Sequence, residues 1–152
     1  MSDSGKSNRT IGVRSQRRGF TLAELMIVLT IIGIMASFAV PTFRRSVQQS
    51  RADVAGANLQ SVWSAQRLYW LEYRTYASNL TLLEDEGLLE PSVATDTDYA
   101  FTVESSNAVS FEVRATRINS DRWTGNFSID EDGTITGAVS ATGEDDLTPG
   151  YL

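Results

Sequence analysis

The sequence predicts an α+β fold in which a long N-terminal, membrane-spanning helix packs on a small antiparallel β-sheet. Three observations predict it. Residues 20–43 carry a single charge and are 71 % hydrophobic. Apolar residues from 44 to 76 then recur at helical spacing, and from 98 onward their period changes to two. The 152 residues include no cysteine and no histidine. That excludes disulfides, thiolate metal sites and every catalytic scheme built on an imidazole or a thiolate.

The first element is a basic segment. Residues 1–19 hold Lys6, Arg9, Arg14, Arg17 and Arg18 against one acid, Asp3, a sum of +4. The apolar block 20–43 follows. As a helix it extends roughly 36 Å at 1.5 Å per residue, enough for a hydrocarbon core of about 30 Å. The basic flank predicts that the N-terminal end stays in the cytoplasm. Residues 44–152 carry 8 basic and 17 acidic side chains and would lie outside the membrane. The overall charge of −6 is therefore an average of three unlike blocks, summing to +4, −1 and −9.

A secretory signal would be shorter and would end in a small-residue cleavage site. Ala36-Ser37-Phe38-Ala39 approximates one only loosely, and Arg17-Arg18 is an equally loose match to a twin-arginine signal. Glu24 stands against both, because neither a simple signal nor a simple anchor calls for a carboxylate at the start of the apolar run. The run Arg17-Arg18-Gly19-Phe20-Thr21-Leu22-Ala23-Glu24-Leu25-Met26-Ile27-Val28, continued by Ile31-Ile32-Gly33-Ile34-Met35-Ala36 and Ala39-Val40-Pro41, closely resembles the type IV prepilin signature. That family contains type IV pilins and the pseudopilins of type II secretion systems.

The resemblance implies a type IV pilin-like fold and a structural role rather than an enzymatic one. It implies that a prepilin peptidase cuts between Gly19 and Phe20 and N-methylates Phe20. It assigns Glu24 to methylation and subunit docking, and Pro41 to a bend or local melting of the helix. Physical reasoning agrees with these roles. Gly19 offers the peptidase a backbone without a side chain. Glu24 is one turn from the new terminus, where it could pair with the Phe20 amine of a neighbour and neutralise two charges in an apolar surrounding. Pro41 lacks an N–H and clashes with the Ser37 carbonyl, which predicts a kink or a helix end just past the membrane. The implied partners are the peptidase, other pilin subunits in a homo- or heteropolymer, assembly platform proteins with their ATPase, and the inner membrane. The chain would wait there as a single-pass precursor before joining an extracellular or periplasmic filament.

The domain order that follows is a leader at 1–19, an assembly helix at 20–43 and a globular part at 44–152. An amphipathic helix is expected over 44–76, its buried stripe formed by Val47, Val54, Val62, Ala65, Tyr69, Tyr73 and Tyr76. Leu59, Trp63, Gln66 and Trp70 lie on a neighbouring face that serves either core packing or a filament contact. A loop spans 77–97, where Asn79 can cap a short helix ending before Gly87, and Pro91 marks a break. The segment from Tyr69 to Pro91 is also similar, more loosely, to the region after the first helix in many pilin-like proteins. Glu84, Asp85, Glu86 and Glu90 make a solvated acidic face.

The sheet is expected over 98–139. Tyr99, Phe101 and Val103, then Val109, Phe111 and Val113, alternate with polar residues about a turn at Ser105-Ser106-Asn107. Phe127 and Ile129, then Ile135, supply two more strands. The tail 140–152 reads as a mobile terminus. Asp130-Glu131-Asp132-Gly133 clusters oxygen ligands, which makes Asp130 and Asp132 calcium candidates. The rest of an EF-hand spacing is missing and Asp-Gly is a common hairpin turn, so no metal and no other cofactor is expected. No phosphate loop or zinc spacing appears. The acidic globular part lacks a basic stripe, so no nucleic-acid partner is inferred. The functional expectation is a structural subunit of a type IV pilus or pilus-like filament. The alternatives are a type II secretion pseudopilin or a membrane-anchored binding module that does not polymerise.

Overall fold

The computed structural model describes residues 19–150, leaving the side chains of 39–42 outside the description. Residues 1–18 of the expected leader lie outside the described residues. The element order is α1 (Leu22–Tyr73), α2 (Leu80–Asp85), α3 (Pro91–Ala94), β1 (Tyr99–Ser106), β2 (Phe111–Arg117), β3 (Thr124–Asp130) and β4 (Ile135–Ser140). The chain divides between Val40 and Pro41 into two units.

Helix α1 runs for 52 residues and passes through Pro41 without ending there. The alternative reading of Pro41, a plain helix end just past the membrane, is not what the structure shows. The α1 helix stops at Arg74, which takes the left-handed conformation (φ 57°) while its N–H donates to the Trp70 carbonyl at 2.9 Å. In the second unit α1 buries Ala52, Ala55, Leu59, Val62, Ala65 and Gln66. This stripe differs from the expected one. Val62 and Ala65 belong to it, but Val54 and Tyr73 face outward, at 51 % and 43 % exposure. The small Ala52, Ala55 and Gly56 are buried positions of this face, with Gly56 set against Pro149 of the tail. Leu59 and Gln66 of the neighbouring face are fully buried in the core, while Trp63 and Trp70 are half-buried.

The four strands form an antiparallel meander in the order β1-β2-β3-β4. Alternation puts Tyr99 and Phe101, Val113 and Ala115, Phe127 and Ile129, and Ile135 and Val139 into one core with the α1 stripe. Tyr99 stacks on Phe127 at 5.7 Å, and burial, chiefly, pushes its phenol up to about 12. The first hairpin differs from expectation. Strand β1 continues through Ser106, past an irregularity between Val103 and Ser105, and the turn lies at 107–110. Asn107 builds that turn, its side-chain oxygen accepting from the N–H groups of Val109 and Ser110. Val109 thus sits in the turn, 80 % exposed, and not in the core.

Asn79 caps α2 as expected, accepting from the Leu82 N–H at 2.9 Å. Pro91 opens α3 from its first turn, where a missing N–H costs nothing, so it begins a helix where a break was expected. The tail is the larger correction. Leu147 and Pro149 are buried, and Leu147 bridges to Val139 through two backbone hydrogen bonds. Gln49 donates to the Thr148 carbonyl at 2.7 Å, and the Gly150 N–H donates to Asp53 at 2.9 Å. Sequence reading missed this because its polar and glycine-rich composition hides two apolar anchors.

Gly56 is what admits the tail. A Cβ there would lie 2.6 Å from the Pro149 Cβ. Gly56→Ala gains about 1 kcal/mol of helix propensity but meets an overpacking cost of about 1–3 kcal/mol. The expected result is a displaced tail on an intact sheet. Amide exchange at Leu147 and Gly150 should accelerate while Val113 keeps its protection; unchanged exchange at both tail sites refutes the wedge.

Candidate processing and assembly segment

The segment that begins α1 is built by two side chains. Thr21 stands just before the helix, and the Leu25 N–H donates to its carbonyl at 3.2 Å. The Thr21 hydroxyl accepts from the Glu24 N–H at 3.2 Å, and one Glu24 carboxylate oxygen accepts from the Thr21 N–H at 2.8 Å. The same oxygen also takes the Thr21 hydroxyl at 2.9 Å. This is a reciprocal capping box, Thr-x-x-Glu, with the carboxylate at the positive end of the helix. The spacing Thr21-Leu22-Ala23-Glu24 is the sequence signal for this local role, which the reading of Glu24 as an intersubunit charge did not include. Gly19 has no neighbour within 4 Å of a would-be Cβ, and Phe20 is 87 % exposed.

Beyond the cap, the helix presents apolar side chains on all faces. It is long and apolar enough to cross a membrane, by length and composition. Among the described residues, the hydroxyls of Thr30 and Ser37 need no water. Thr30 donates to the Met26 carbonyl at 2.8 Å and Ser37 to the Ile34 carbonyl at 2.7 Å. Pro41 lies in α1, and its side chain is outside the described residues.

The calcium candidates form a turn. The Asp130 carboxylate accepts from the Asp132 N–H at 3.1 Å, and the Asp130 carbonyl accepts from the Gly133 N–H at 3.1 Å, with Gly133 at φ 81°. The α1 helix holds this turn from below, Trp63 donating to the Glu131 carbonyl and Gln60 to that of Gly133. Among the described residues, no three acidic side chains gather where a metal ion could sit.

A feature that sequence reading missed lies at the C-terminal end of α1. The Arg67 guanidinium sits over Trp63 at 5.2 Å and that of Arg74 over Trp70 at 5.0 Å. Trp70 is itself fixed by donating to the Ala108 carbonyl at 2.9 Å. Five other arginines of this unit are ion-paired with carboxylates, whereas among the described residues Arg67 and Arg74 are not. The spacing of four between each tryptophan and its arginine was the available signal. Nearby, the Tyr73 hydroxyl donates to Glu86 at 2.8 Å, and that bond pushes its phenol up to about 12.

A membrane-length apolar helix with a capped start, followed in the same chain by a helix-on-meander unit, is a pilin-like architecture. Residues 14–40 match the family model of the prokaryotic N-terminal methylation motif. Residues 41–126 match that of the type IV minor pilin ComP, DNA uptake sequence receptor. The chain belongs to the type IV pilin family. It is 37 % identical over 75 residues to the type IV major pilin protein PilA of Myxococcus xanthus, covering 47 % of this chain and 34 % of that protein. It is 35 % identical over 71 residues to the type II secretion system core protein G of Pseudomonas aeruginosa, covering 47 % of this chain and 50 % of that one. It is 31 % identical over 94 residues to the type IV wide pilus major component PilA4 of Thermus thermophilus, covering 62 % of this chain and 69 % of that one. The chain thus spans half or less of the first two relatives.

Proposed function

We infer that this protein is a structural subunit of a type IV pilus or a pilus-like filament, without a catalytic step of its own. The observation that carries this reading is the capped, exposed apolar helix start within a match to the N-terminal methylation motif. In this reading residues 1–19 are a leader removed between Gly19 and Phe20, and Phe20 is then N-methylated. Residues 20–43 hold the precursor in the inner membrane and later the filament core, and residues 44–152 reach the periplasm or cell surface. Prepilin peptidase, other pilin subunits and the assembly machinery are the partners. The 130–133 turn is read as a hairpin turn that Gln60 and Trp63 of α1 hold in place.

Glu24 then has two successive duties. Within the subunit it closes the cap on Thr21. In the filament it faces the Phe20 amine of a neighbour, where an unpaired charge of either sign is costly. Pro41 supplies the point at which the helix yields during packing. Because lipid is as apolar as leucine, helix shape and this charge pair drive assembly more than hydrophobicity does.

Co-expression with a prepilin peptidase tests the processing step. The wild-type chain should lose about 19 residues, roughly 2 kDa, on a gel, Gly19→Arg should stay full length, and Glu24→Ala should be cut but enter filaments at least about tenfold less. Cleavage of Gly19→Arg would move the site, and normal filament entry by Glu24→Ala would end the pairing role. A cut subunit that never enters filaments would favour a non-polymerising membrane-anchored module. The similarity to core protein G keeps a secretion pseudopilus as the alternative filament.

The Arg67 and Arg74 pair favours a second reading for the globular unit, DNA capture by a minor subunit, as the ComP family description says of its members. Cations held on indole faces suit phosphates and bases, although the net charge of this unit opposes binding. An Arg67→Gln, Arg74→Gln double variant should weaken duplex binding about 5- to 30-fold at 50 mM salt and lower the salt slope by about 2. A wild-type chain that shifts no DNA under those conditions ends this reading.

A further inference from the structure

A groove of about 490 Å³ opens between the start of α1 in the second unit and the β2–β3 connection. Phe43, Val47 and Trp123 supply its apolar lining, and Arg44, Asp121 and Arg122 its charges. Arg122 is committed to Glu144 at 2.6 Å. Among the described residues, the side chains of Arg44 and Asp121 have neither an ion pair nor a hydrogen bond, so the groove offers one cation and one anion to a ligand. Phe43 is 71 % exposed beside them.

Sequence position says what such a groove meets. Phe43 closes the apolar run and Arg44 is the first charge after Glu24. In a chain inserted through 20–43, Arg44 emerges at the headgroup level, where aromatic and arginine side chains anchor proteins. We propose that the groove binds the headgroup of a zwitterionic aminophospholipid, its phosphate on Arg44 and its ammonium on Asp121. This rests on reading 20–43 as a membrane span. Arginine suits the phosphate because its planar fork donates two parallel bonds. The carboxylate of Asp121 answers the ammonium, and Phe43 and Trp123 lie against the glycerol and first acyl carbons. An anionic headgroup without an amine would leave Asp121 facing negative charge, and free phosphate would leave the apolar lining unused. The bound lipid gives the waiting subunit a partner that must be shed before helices pack together.

Photolabelling of the full chain in vesicles tests this. The probe is phosphatidylethanolamine with a diazirine next to the glycerol, and labelled peptides are mapped by mass spectrometry. Wild type should be labelled in 20–43 and in 119–123. The Arg44→Gln, Asp121→Asn double variant should lose label in 119–123 at least about tenfold while keeping it in 20–43, with an unchanged circular dichroism spectrum. A phosphatidylglycerol probe should label 119–123 correspondingly less in wild type. Three results overturn the proposal: equal 119–123 label in the variant, equal label from the phosphatidylglycerol probe, or none there while 20–43 is labelled. Absence of label from both segments overturns the membrane span itself, and the headgroup site with it.

Discussion

Gln66→Leu is expected to destabilise the helix-on-sheet unit by about 2–6 kcal/mol, because it strips partners from two buried backbone groups at about 1–3 kcal/mol each. Gln66 is fully buried and satisfied at both ends. Its amide donates to the Ala77 carbonyl at 3.0 Å, and its oxygen accepts from the Ala77 N–H at 2.8 Å. It does for the reversing chain after α1 what a strand partner would do. Leucine fits the volume and adds apolar surface, so a packing role alone would leave stability unchanged. Thermal melting of the full chain in detergent should show a midpoint lower by about 10 °C or more. A shift equivalent to less than about 1 kcal/mol would mean that water or a rearranged backbone replaces the amide.

The second large effect is at Arg117. Its side chain is 1 % exposed, and its guanidinium donates to the Asp98 carbonyl at 2.6 Å, the Asp98 carboxylate at 3.0 Å and the Ile118 carbonyl at 3.0 Å. A fourth bond reaches Gln48 on α1 at 3.1 Å, and the cation lies 5.3 Å from the Tyr99 ring. One side chain thus ties the helix to the start of β1 and the end of β2. Arg117→Met preserves bulk but takes this donor from the Ile118 carbonyl and the Gln48 side-chain oxygen, at about 1–3 kcal/mol for each one that stays buried, while the Asp98 carbonyl keeps the Ile118 N–H at 3.0 Å. Two facts place the effect near the low end. Asp98 keeps Arg51 at 3.0 Å, and the buried Nε of Arg117 has no acceptor, so its removal relieves one orphan. Denaturant unfolding of both proteins measures the difference, and a loss below about 1 kcal/mol would show that the network is replaceable by packing.

The apolar span and the methylation-motif match at its start were legible because both are local in sequence. A membrane span announces itself by length and lack of charge, and Gly19, Phe20 and Glu24 lie within six residues of one another. The strands were legible for a related reason, since a two-residue period places Tyr99, Phe101, Phe127 and Ile129 on one face whatever the partners are. The helical stripe was only half legible. A 3.6-residue period admits neighbouring faces 100° or less apart, and here the small Ala52, Ala55 and Gly56 are the buried positions while the larger Val54 and Tyr73 face outward. The tryptophan–arginine pairs had a signal in their spacing, but the acidic average of the unit masked it.

By itself the sequence determined the class of element at each stage: an apolar span, an amphipathic helix and a four-stranded meander, in that order, with a processing signature at the junction. These follow from periodicity and charge, which are properties of neighbours along the chain. Only the tertiary structure decided that Gln66 and Arg117 are buried, that the tail packs into a notch made by Gly56, and that Phe43, Arg44 and Asp121 share a groove. Each of those depends on residues far apart in the chain meeting at hydrogen-bond or van der Waals distance. Gly150 reaches Asp53 across 97 positions. A polar side chain shows the same letter whether water or a buried carbonyl satisfies it, so the fold alone selects between them.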